Sequence, residues 1–160
     1  MLSIRIICVG KLKERFYTDA AHEYLKRLAG YCIPEIVEIP EYRLRDGPSA
    51  AQIAIALKNE SSAIGGKFQA GAMTVALCVE GRETDSSGLS ELLTECAGRG
   101  SPKLCFIIGG SYGLHDDIKN RADMKLSLSK MTFPHNLARV ILLEQLYRAF
   151  KIAEGGKYHK

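Results

Sequence analysis

A glycine-rich segment at residues 109–113, with the sequence GGSYG, directly follows an apolar run that is typical of a β-strand. Glycines in such a place permit tight turns and a close approach of the backbone to a ligand. The segment is neither G-x-G-x-x-G nor a Walker A loop, because no Gly-Lys-Ser/Thr follows it. It therefore does not indicate a dinucleotide or ATP phosphate site, and alone it is equally typical of a plain turn from a strand to a helix.

A second candidate segment runs from Ser129 to Pro134, between a predicted strand and the last predicted helix. Pro134 fixes its own backbone and biases Phe133 toward extended geometry. A loop preformed in this way could hold an adenine through backbone donors and acceptors, without a charged side chain. The alternative is a simple connection that leads into the helix.

The predicted helix from His135 to Ala153 carries Arg139 in the middle of a broad apolar arc. A buried arginine is costly without partners, so its guanidinium should meet a carboxylate, carbonyl groups or a ligand. The alternative is that the side chain reaches water from the first turn of the helix. An arc this wide also indicates a helix that packs partly against a second subunit, although burial within its own domain would produce the same pattern.

The opposite side of this helix is predicted to be a solvated stripe of Glu144, Arg148 and Lys151, with Glu144 and Arg148 spaced for an ion pair. The tail that follows ends in Lys157, Tyr158, His159 and Lys160. Its composition is typical of a frayed terminus. An aromatic ring, an imidazole and two cations are also suitable groups for gripping an RNA nucleotide.

The composition of the 160 residues is that of an ordinary globular protein with a net charge of +4, which is a weak indication of an anionic partner. No apolar run approaches the ~20 residues of a membrane span, and the start of the chain does not resemble a signal peptide. The 5 cysteines form no C-x-x-C pair, so neither disulfides nor a metal site is indicated. We therefore expect a cytoplasmic protein with no metal and no membrane partner.

Hydrophobic periodicity predicts strands and helices in alternation along the chain. The predicted strands are Leu2–Val9, Pro34–Pro40, Met73–Val79, Lys103–Ile108 and Met124–Leu128, and the predicted helices are 15–29, 49–64, 88–97, 115–122 and 135–153. The first helix has one apolar stripe, formed by Phe16, Ala20, Tyr24 and Leu28. The alternation predicts a single α/β domain over residues 1–160 with a mainly parallel sheet. Ligands bind such sheets beyond the carboxyl ends of the strands, which directs attention to the loops 80–87, 109–114 and 129–134.

Four motifs carry a resemblance to a known family. They are GKLKE after the first strand, FIIGGSYGLH, LSLSKMTFPHNLARVILLEQLYRAFKI and the closing YHK. Together they resemble the RlmH family of SPOUT-class rRNA methyltransferases. The similarity covers the whole chain and is densest from Phe106 to Lys160.

The resemblance implies a sheet with helices on both faces whose C-terminal part threads into a deep trefoil knot, a rare exception to unknotted topology. It implies a homodimer that uses S-adenosylmethionine as methyl donor. The acceptor would be N3 of a pseudouridine in 23S rRNA, number 1915 in the usual rRNA numbering. The family acts on the assembled ribosome, so no DNA partner is expected.

The resemblance also implies roles for particular residues. The implied cofactor-binding residues are Leu77, Gly109, Gly110, Ser129, Lys130, Met131, Thr132, Phe133 and Pro134. The implied substrate-binding residues are Tyr158, His159 and Lys160, to which we add His135 at the start of the last predicted helix. Tyr158 and His159 are also candidate catalytic residues, together with Arg139, which stands out in the apolar arc of that helix. Lys160 stands where some members have arginine, and a lysine would supply only a point charge there.

Methyl transfer to an imide nitrogen requires alignment of the reacting atoms and loss of the N–H proton. His159 is a possible base, and Arg139, Lys160 or His135 could stabilise the developing anion; the sequence does not choose among them. We expect Arg139→Ala to damage methylation more than folding. Two other classes of function remain open at this point: a non-catalytic ribosome-binding or assembly factor, and a different, nucleotide-dependent α/β enzyme.

Overall fold

The computed structural model describes residues 1–158. Strands and helices alternate through this range without exception. The elements are β1 (Ser3–Val9), α1 (Arg15–Leu28), β2 (Ile33–Ile39), α2 (Ala50–Gly65), β3 (Met73–Glu83), α3 (Ser86–Ala97), β4 (Lys103–Ile108), α4 (Asp116–Arg121), β5 (Met124–Ser127) and α5 (His135–Ala153). None of the helices in this range is long and apolar enough to cross a membrane.

The five strands form one sheet in the order β2-β1-β4-β3-β5, and every paired strand is parallel to its neighbour. One face of the sheet is covered by α1, α3 and α5, whose Leu28, Leu93 and Leu142 share a buried cluster. The other face is covered by α2 and α4, through Ile64 and Ile118. The predicted α/β class, with a parallel sheet and helices on both faces, is confirmed.

The local sequence explains where these elements begin. The central strands β1 and β4 are nearly continuous apolar runs, as expected for parallel strands buried on both faces. α2 begins with a capping box, in which the Ser49 side chain and the backbone amide of Gln52 are bonded and the Gln52 side chain reaches back to Ser49. Asp85 caps α3 by accepting a hydrogen bond of 2.7 Å from the backbone of Gly88.

The third strand is longer than the sequence predicts, because β3 continues past Val79 to Glu83. Its pairing with β5 shifts register, so that Leu126 lies opposite first Leu77 and then Arg82. A Cβ atom at Gly81 would lie 2.7 Å from the carbonyl carbon of Leu126, so only glycine permits this approach. Half of the predicted loop 80–87 is therefore strand, and its last two residues begin α3.

The predicted apolar stripe of α1 is wrong at its first member. Phe16 is 66% exposed, and its ring packs on Tyr17 instead of the core. The helix buries Ala21 and Leu28. Residues four apart drift by about 40° around a helix, so a stripe at that spacing leaves the buried face within a few turns.

The predicted solvated stripe of α5 is also wrong, although its ion pair is confirmed. Arg148 Nη2 and Glu144 Oε1 lie 2.6 Å apart and both side chains are mostly buried. Lys151 Nζ contacts the Tyr31 hydroxyl oxygen at 3.2 Å. These polar groups are covered because the tail folds back on the helix and brings Tyr158 against Arg148.

Candidate active site

An open cleft of about 760 Å³ lies at the carboxyl ends of β4 and β5, where β3 leaves its pairing with β4 at Leu77. Three stretches of the chain form most of its walls: Leu77 to Glu80 of β3, the glycine turn after β4, and the segment from Ser127 to Ala138. Sites in parallel sheets are expected at this edge, where the strands end and the connecting loops leave. Its volume falls in the usual range for small-molecule and cofactor sites, about 300–1,000 Å³.

Most of the implied cofactor residues meet in this cleft. Those that line it are Leu77, Gly109, Gly110, Ser129, Met131, Thr132, Phe133 and Pro134. His135, an implied substrate residue, lies on the same wall. Lys130 is exposed and does not line the cleft. The fold thus brings together segments that lie far apart in the sequence, while the role of each residue stays a prediction.

The glycine turn forms its wall from backbone atoms. The backbone amide of Gly113 donates a hydrogen bond of 3.0 Å to the carbonyl of Gly110, and Gly113 has a φ of 80°. A Cβ atom at Gly109 would overlap the carbonyl group of Gly113, and one at Gly110 would lie 3.1 Å from a methyl group of Val9. The turn therefore keeps its shape only without side chains at these positions.

The connection between β5 and α5 is held by its own side chains. Ser127 Oγ donates a hydrogen bond of 2.9 Å to the carbonyl of Ser129, and Ser129 Oγ accepts one of 3.0 Å from the backbone amide of Met131. Pro134 then occupies the N-cap position of α5, where its carbonyl accepts a hydrogen bond of 2.9 Å from the backbone amide of Ala138. This arrangement aims the start of α5, with His135, into the cleft.

The cleft is mainly apolar, and one ion pair lies on its rim. Lys119 Nζ and Glu80 Oε1 are 2.5 Å apart, and this hydrogen bond lowers the pKa of Glu80. Cys78 also lines the cleft, and burial raises the pKa of its thiol. Sequence reasoning missed Lys119, because α4 is short and polar and gives no signal of the wall that it faces. Within residues 1–158, no group of His, Cys, Asp and Glu side chains is arranged to hold a metal ion.

Arg139 lies behind the cleft and does not line it. Its side chain is only 4% exposed, with Nη1 bonded to Glu38 Oε2 and Nη2 to the carbonyl of Gly10, each at 2.9 Å. The expected carboxylate and carbonyl partners are thus confirmed, and the alternative that the side chain reaches water is wrong. A Cβ atom at Gly10 would lie 3.9 Å from His135 Nε2, so this cluster fixes the start of α5 to the ends of β1 and β2. Direct participation of Arg139 in catalysis stays a prediction.

Tyr158 is not brought to the cleft within one chain. Its ring lies 5.0 Å from the ring of Tyr147 and 4.8 Å from the guanidinium carbon of Arg148, while its carbonyl accepts a hydrogen bond from Arg148. Tyr147 follows His135 by about 18 Å of helix at 1.5 Å per residue. The tail up to Tyr158 is therefore packed, not frayed. His159 and Lys160 lie outside the described residues.

Comparison with known proteins decides the family. A family model described as "Predicted SPOUT methyltransferase" matches residues 2–159. This chain belongs to the SPOUT methyltransferase family. The resemblance drawn from the four sequence motifs is confirmed, and the cleft described above is the corresponding candidate site in this SPOUT protein.

Full-length relatives carry one shared name. Ribosomal RNA large subunit methyltransferase H of Clostridium novyi (strain NT) is 45% identical over 159 residues, which are 99% of this chain and 100% of that protein. The protein of the same name from Clostridioides difficile (strain 630) is 42% identical with the same coverage.

Solved structures of lower identity have the same fold. A probable methyltransferase from Bordetella pertussis Tohama I superposes with a TM-score of 0.61 at 12% identity, covering 92% of this chain and 94% of that one. A probable methylase family protein from Haemophilus influenzae Rd KW20 has a TM-score of 0.59 at 16% identity, covering 100% of this chain and 72% of that one. At these identities the likeness shows the fold alone.

Proposed function

We propose that this SPOUT protein is an S-adenosylmethionine-dependent enzyme that methylates N3 of a pseudouridine in large-subunit rRNA on the assembled ribosome. The observation that carries the proposal is the cleft at the carboxyl ends of β4 and β5, beside β3, in a chain whose full-length relatives are named rRNA methyltransferases. We further propose that it acts as a homodimer in the cytoplasm. One knotted SPOUT domain would span residues 1–160.

The cleft fits the chemistry of the proposed cofactor. Its apolar walls, with Leu77 and Phe133 among them, suit an adenine ring, and the glycine turn presents bare backbone for hydrogen bonds. Among residues 1–158, the one lysine or arginine that lines the cleft is Lys119, and its charge is neutralised by Glu80, so this part of the chain provides no cationic cradle for a triphosphate. When bound there, S-adenosylmethionine would supply the methyl group.

The chain's own residues would bind the methyl donor and orient the acceptor base toward it. The segment from Ser129 to Pro134 would hold the donor from one side and the glycine turn from the other. His135, on the wall of the cleft at the start of α5, would face the acceptor nitrogen. Alignment of acceptor and donor in this way can remove about 7–11 kcal/mol of the barrier to a displacement reaction.

In the proposed dimer, polar groups of one chain would complete the active site of the other. Tyr158 lies apart from the cleft of its own chain, whereas the proposed chemistry requires polar groups near the acceptor. Half-buried apolar side chains on the outer side of α5, including Leu137 and Ile141, favour packing against a second copy. An obligate interface should bury on the order of 2,000 Å² or more. Light scattering at micromolar concentration is expected to give a dimer, and a monomer would contradict this part of the proposal.

The decisive experiment measures methyl transfer directly. Ribosomes that lack the modification are incubated with the protein and labelled S-adenosylmethionine, and rRNA fragments are analysed by mass spectrometry. We expect one labelled methyl group at a pseudouridine in intact ribosomes and none in naked rRNA. Ribosome binding without transfer would favour the non-catalytic factor instead. Calorimetry with ATP serves as a control, since binding of ATP but not of S-adenosylmethionine would indicate a nucleotide-dependent enzyme.

A further inference from the structure

A smaller cavity of about 230 Å³ adjoins the cleft beneath the loop of residues 41–48. The two cavities share Ser111 and Tyr112 of the glycine turn. Tyr42 and Arg45 of the loop line the smaller cavity, as does Glu60 of α2. A ligand in this cavity would therefore touch the same turn that forms a wall of the proposed cofactor site.

Glu60 is the unusual group in this cavity. It is 8% exposed, yet it lines the space. Its Oε2 accepts a hydrogen bond of 3.0 Å from the backbone amide of Tyr42, and its Oε1 lies 3.9 Å from where a Cβ of Gly110 would be. A carboxylate can accept about four hydrogen bonds. Among residues 1–158, the backbone of Tyr42 is the one hydrogen-bond donor to Glu60, so the carboxylate keeps unused acceptor capacity.

Because the Glu60 carboxylate is buried, its unused acceptor capacity favours a further hydrogen-bond donor. Desolvation raises the pKa of Glu60; the hydrogen bond from Tyr42 opposes this effect and the charge of Glu41 adds to it. A desolvated carboxylate gains more from a new N–H donor than an exposed one does. Arg45 and Asp46 also face the cavity, so an arriving ligand meets charges of both signs.

The cavity is the right size for one flat ring. Drug-sized ligands occupy pockets of about 300 Å³ or more, and this space is slightly smaller. Tyr42 and Tyr112 offer aromatic rings for stacking on an unpaired base, which is how proteins commonly hold single RNA nucleotides. Arg45 offers a cation for the adjoining phosphate.

We propose that this cavity receives the target pseudouridine and that Glu60 accepts a hydrogen bond from its N1–H group. This inference rests on the proposed function. In pseudouridine the ribose is attached through carbon, so N1 carries a hydrogen that uridine does not have. N1–H and N3–H point in different directions in the ring plane, so N1 can face Glu60 while N3 faces the cleft. Glu60 is then the residue that distinguishes pseudouridine from uridine.

Glu60→Gln tests this role with little change of shape. Because the backbone amide of Tyr42 requires an acceptor, the glutamine oxygen should take that place and its NH₂ group should face the cavity. Two N–H groups would then oppose each other when pseudouridine enters, whereas uridine would present only C–H. The variant should lose its preference for pseudouridine and still fold.

The experiment compares ribosomes with pseudouridine or uridine at the target. The enzyme is in excess and slow reactions are followed for hours, so that both substrates give a rate. We expect Glu60→Gln to lower the rate on pseudouridine about 10- to 100-fold and to leave the rate on uridine unchanged. Glu95→Gln, which changes an exposed carboxylate on α3, is the matched control and should behave as wild type.

Two further measurements separate this inference from the proposed function. Melting temperature and calorimetry with S-adenosylmethionine are expected to be unchanged in Glu60→Gln. An unchanged preference for pseudouridine, or an equal loss on both substrates, would overturn the assignment of Glu60 while the methyltransferase function stands. If the wild type methylates neither ribosome, the proposed function itself is wrong.

Discussion

The cleft and the tail of this protein are built in opposite ways. The cleft is formed by backbone and apolar side chains from three distant segments, which the parallel sheet delivers to one edge. The tail carries its polar and aromatic groups in a few consecutive residues, and Tyr158 packs against Tyr147 and Arg148 of α5. The first arrangement suits tight holding of a small molecule. In the second arrangement Tyr158, the last residue described, lies against α5 and away from the cleft of its own chain.

The cleft and the tail therefore depend on the fold in different ways. The shape of the cleft depends on close contacts such as that between Gly109 and Gly113, so small changes should affect cofactor binding at once. The tail lies at the end of the chain and follows the last element, α5. Its loss should leave the cleft intact. Each of the following changes tests one side of this contrast.

The largest effect is expected from deletion of residues 158–160. The core elements are complete at Ala153, so the fold and cofactor binding should remain while methylation falls about 100-fold or more. Cofactor affinity and initial methylation rate on intact ribosomes are measured on the same sample. Normal turnover would show that the tail has no part in the reaction, and lost cofactor binding would place the tail over the donor.

Gly109→Ala tests the cleft side. The added Cβ overlaps the carbonyl group of Gly113, so the turn must shift and cofactor affinity should fall about 10- to 100-fold. Gly100→Ala, where an added Cβ meets nothing within 4 Å, is the control and should bind normally. Calorimetry checks both variants. Wild-type affinity in Gly109→Ala would mean that the turn does not form the binding wall.

Arg139→Ala tests the cluster that fixes α5 behind the cleft. Removal of the guanidinium leaves Glu38 without its partner and the carbonyl of Gly10 unbonded, so unfolding free energy should fall by about 2–4 kcal/mol. This reverses the expectation from sequence that methylation suffers more than folding. Denaturant unfolding measures the loss, with Arg99→Ala of an exposed pair as a control expected to change by less than about 0.5 kcal/mol. A stable but inactive Arg139→Ala would restore the catalytic interpretation.

The smallest effect is expected at the rim. Lys119 lowers the pKa of Glu80 in the folded protein, so the pair contributes stability above the unfolded pKa of Glu80 and loses it as pH falls through the folded value. Both groups are partly exposed to solvent, so the contribution at neutral pH should be within about 1 kcal/mol. Glu80→Gln should therefore differ from wild type at neutral pH and converge with it in acid. A constant difference at all pH values in thermal melts would assign the effect to packing.

Much of the fold was predictable because its signals are local. Apolar periodicity identifies all ten elements, and the rule for parallel sheets directs attention to the loops that form the cleft. The extension of β3 was not predictable, because it depends on how closely Gly81 approaches Leu126 of another strand. The exposure of Phe16, by contrast, follows from local geometry, because an i,i+4 stripe drifts around α1 and leaves its buried face.

The candidate site was predictable to the same extent as the fold. The sequence indicates its loops, but it does not indicate which side chains become partners through tertiary contacts. Arg139 required a partner, yet nothing local marks Glu38, which lies 101 residues away. Glu60 did carry a signal, since it stands on the face of α2 that also carries the buried Ala56 and Ile64. A carboxylate at such a position is rarely buried without a reason.

The register of the central strands has a consequence for biosynthesis. Ser3 of β1 lies opposite Lys103 of β4, so one edge of the first strand stays unpaired until about a hundred more residues have been made. At typical translation rates of 5–20 residues per second, that interval is roughly 5–20 seconds. The nascent chain spends this time with an apolar strand edge open to aggregation or to chaperones. Because the segment from Ser129 to His135 follows β4 in the chain, the binding cleft forms only after that partner strand has been made.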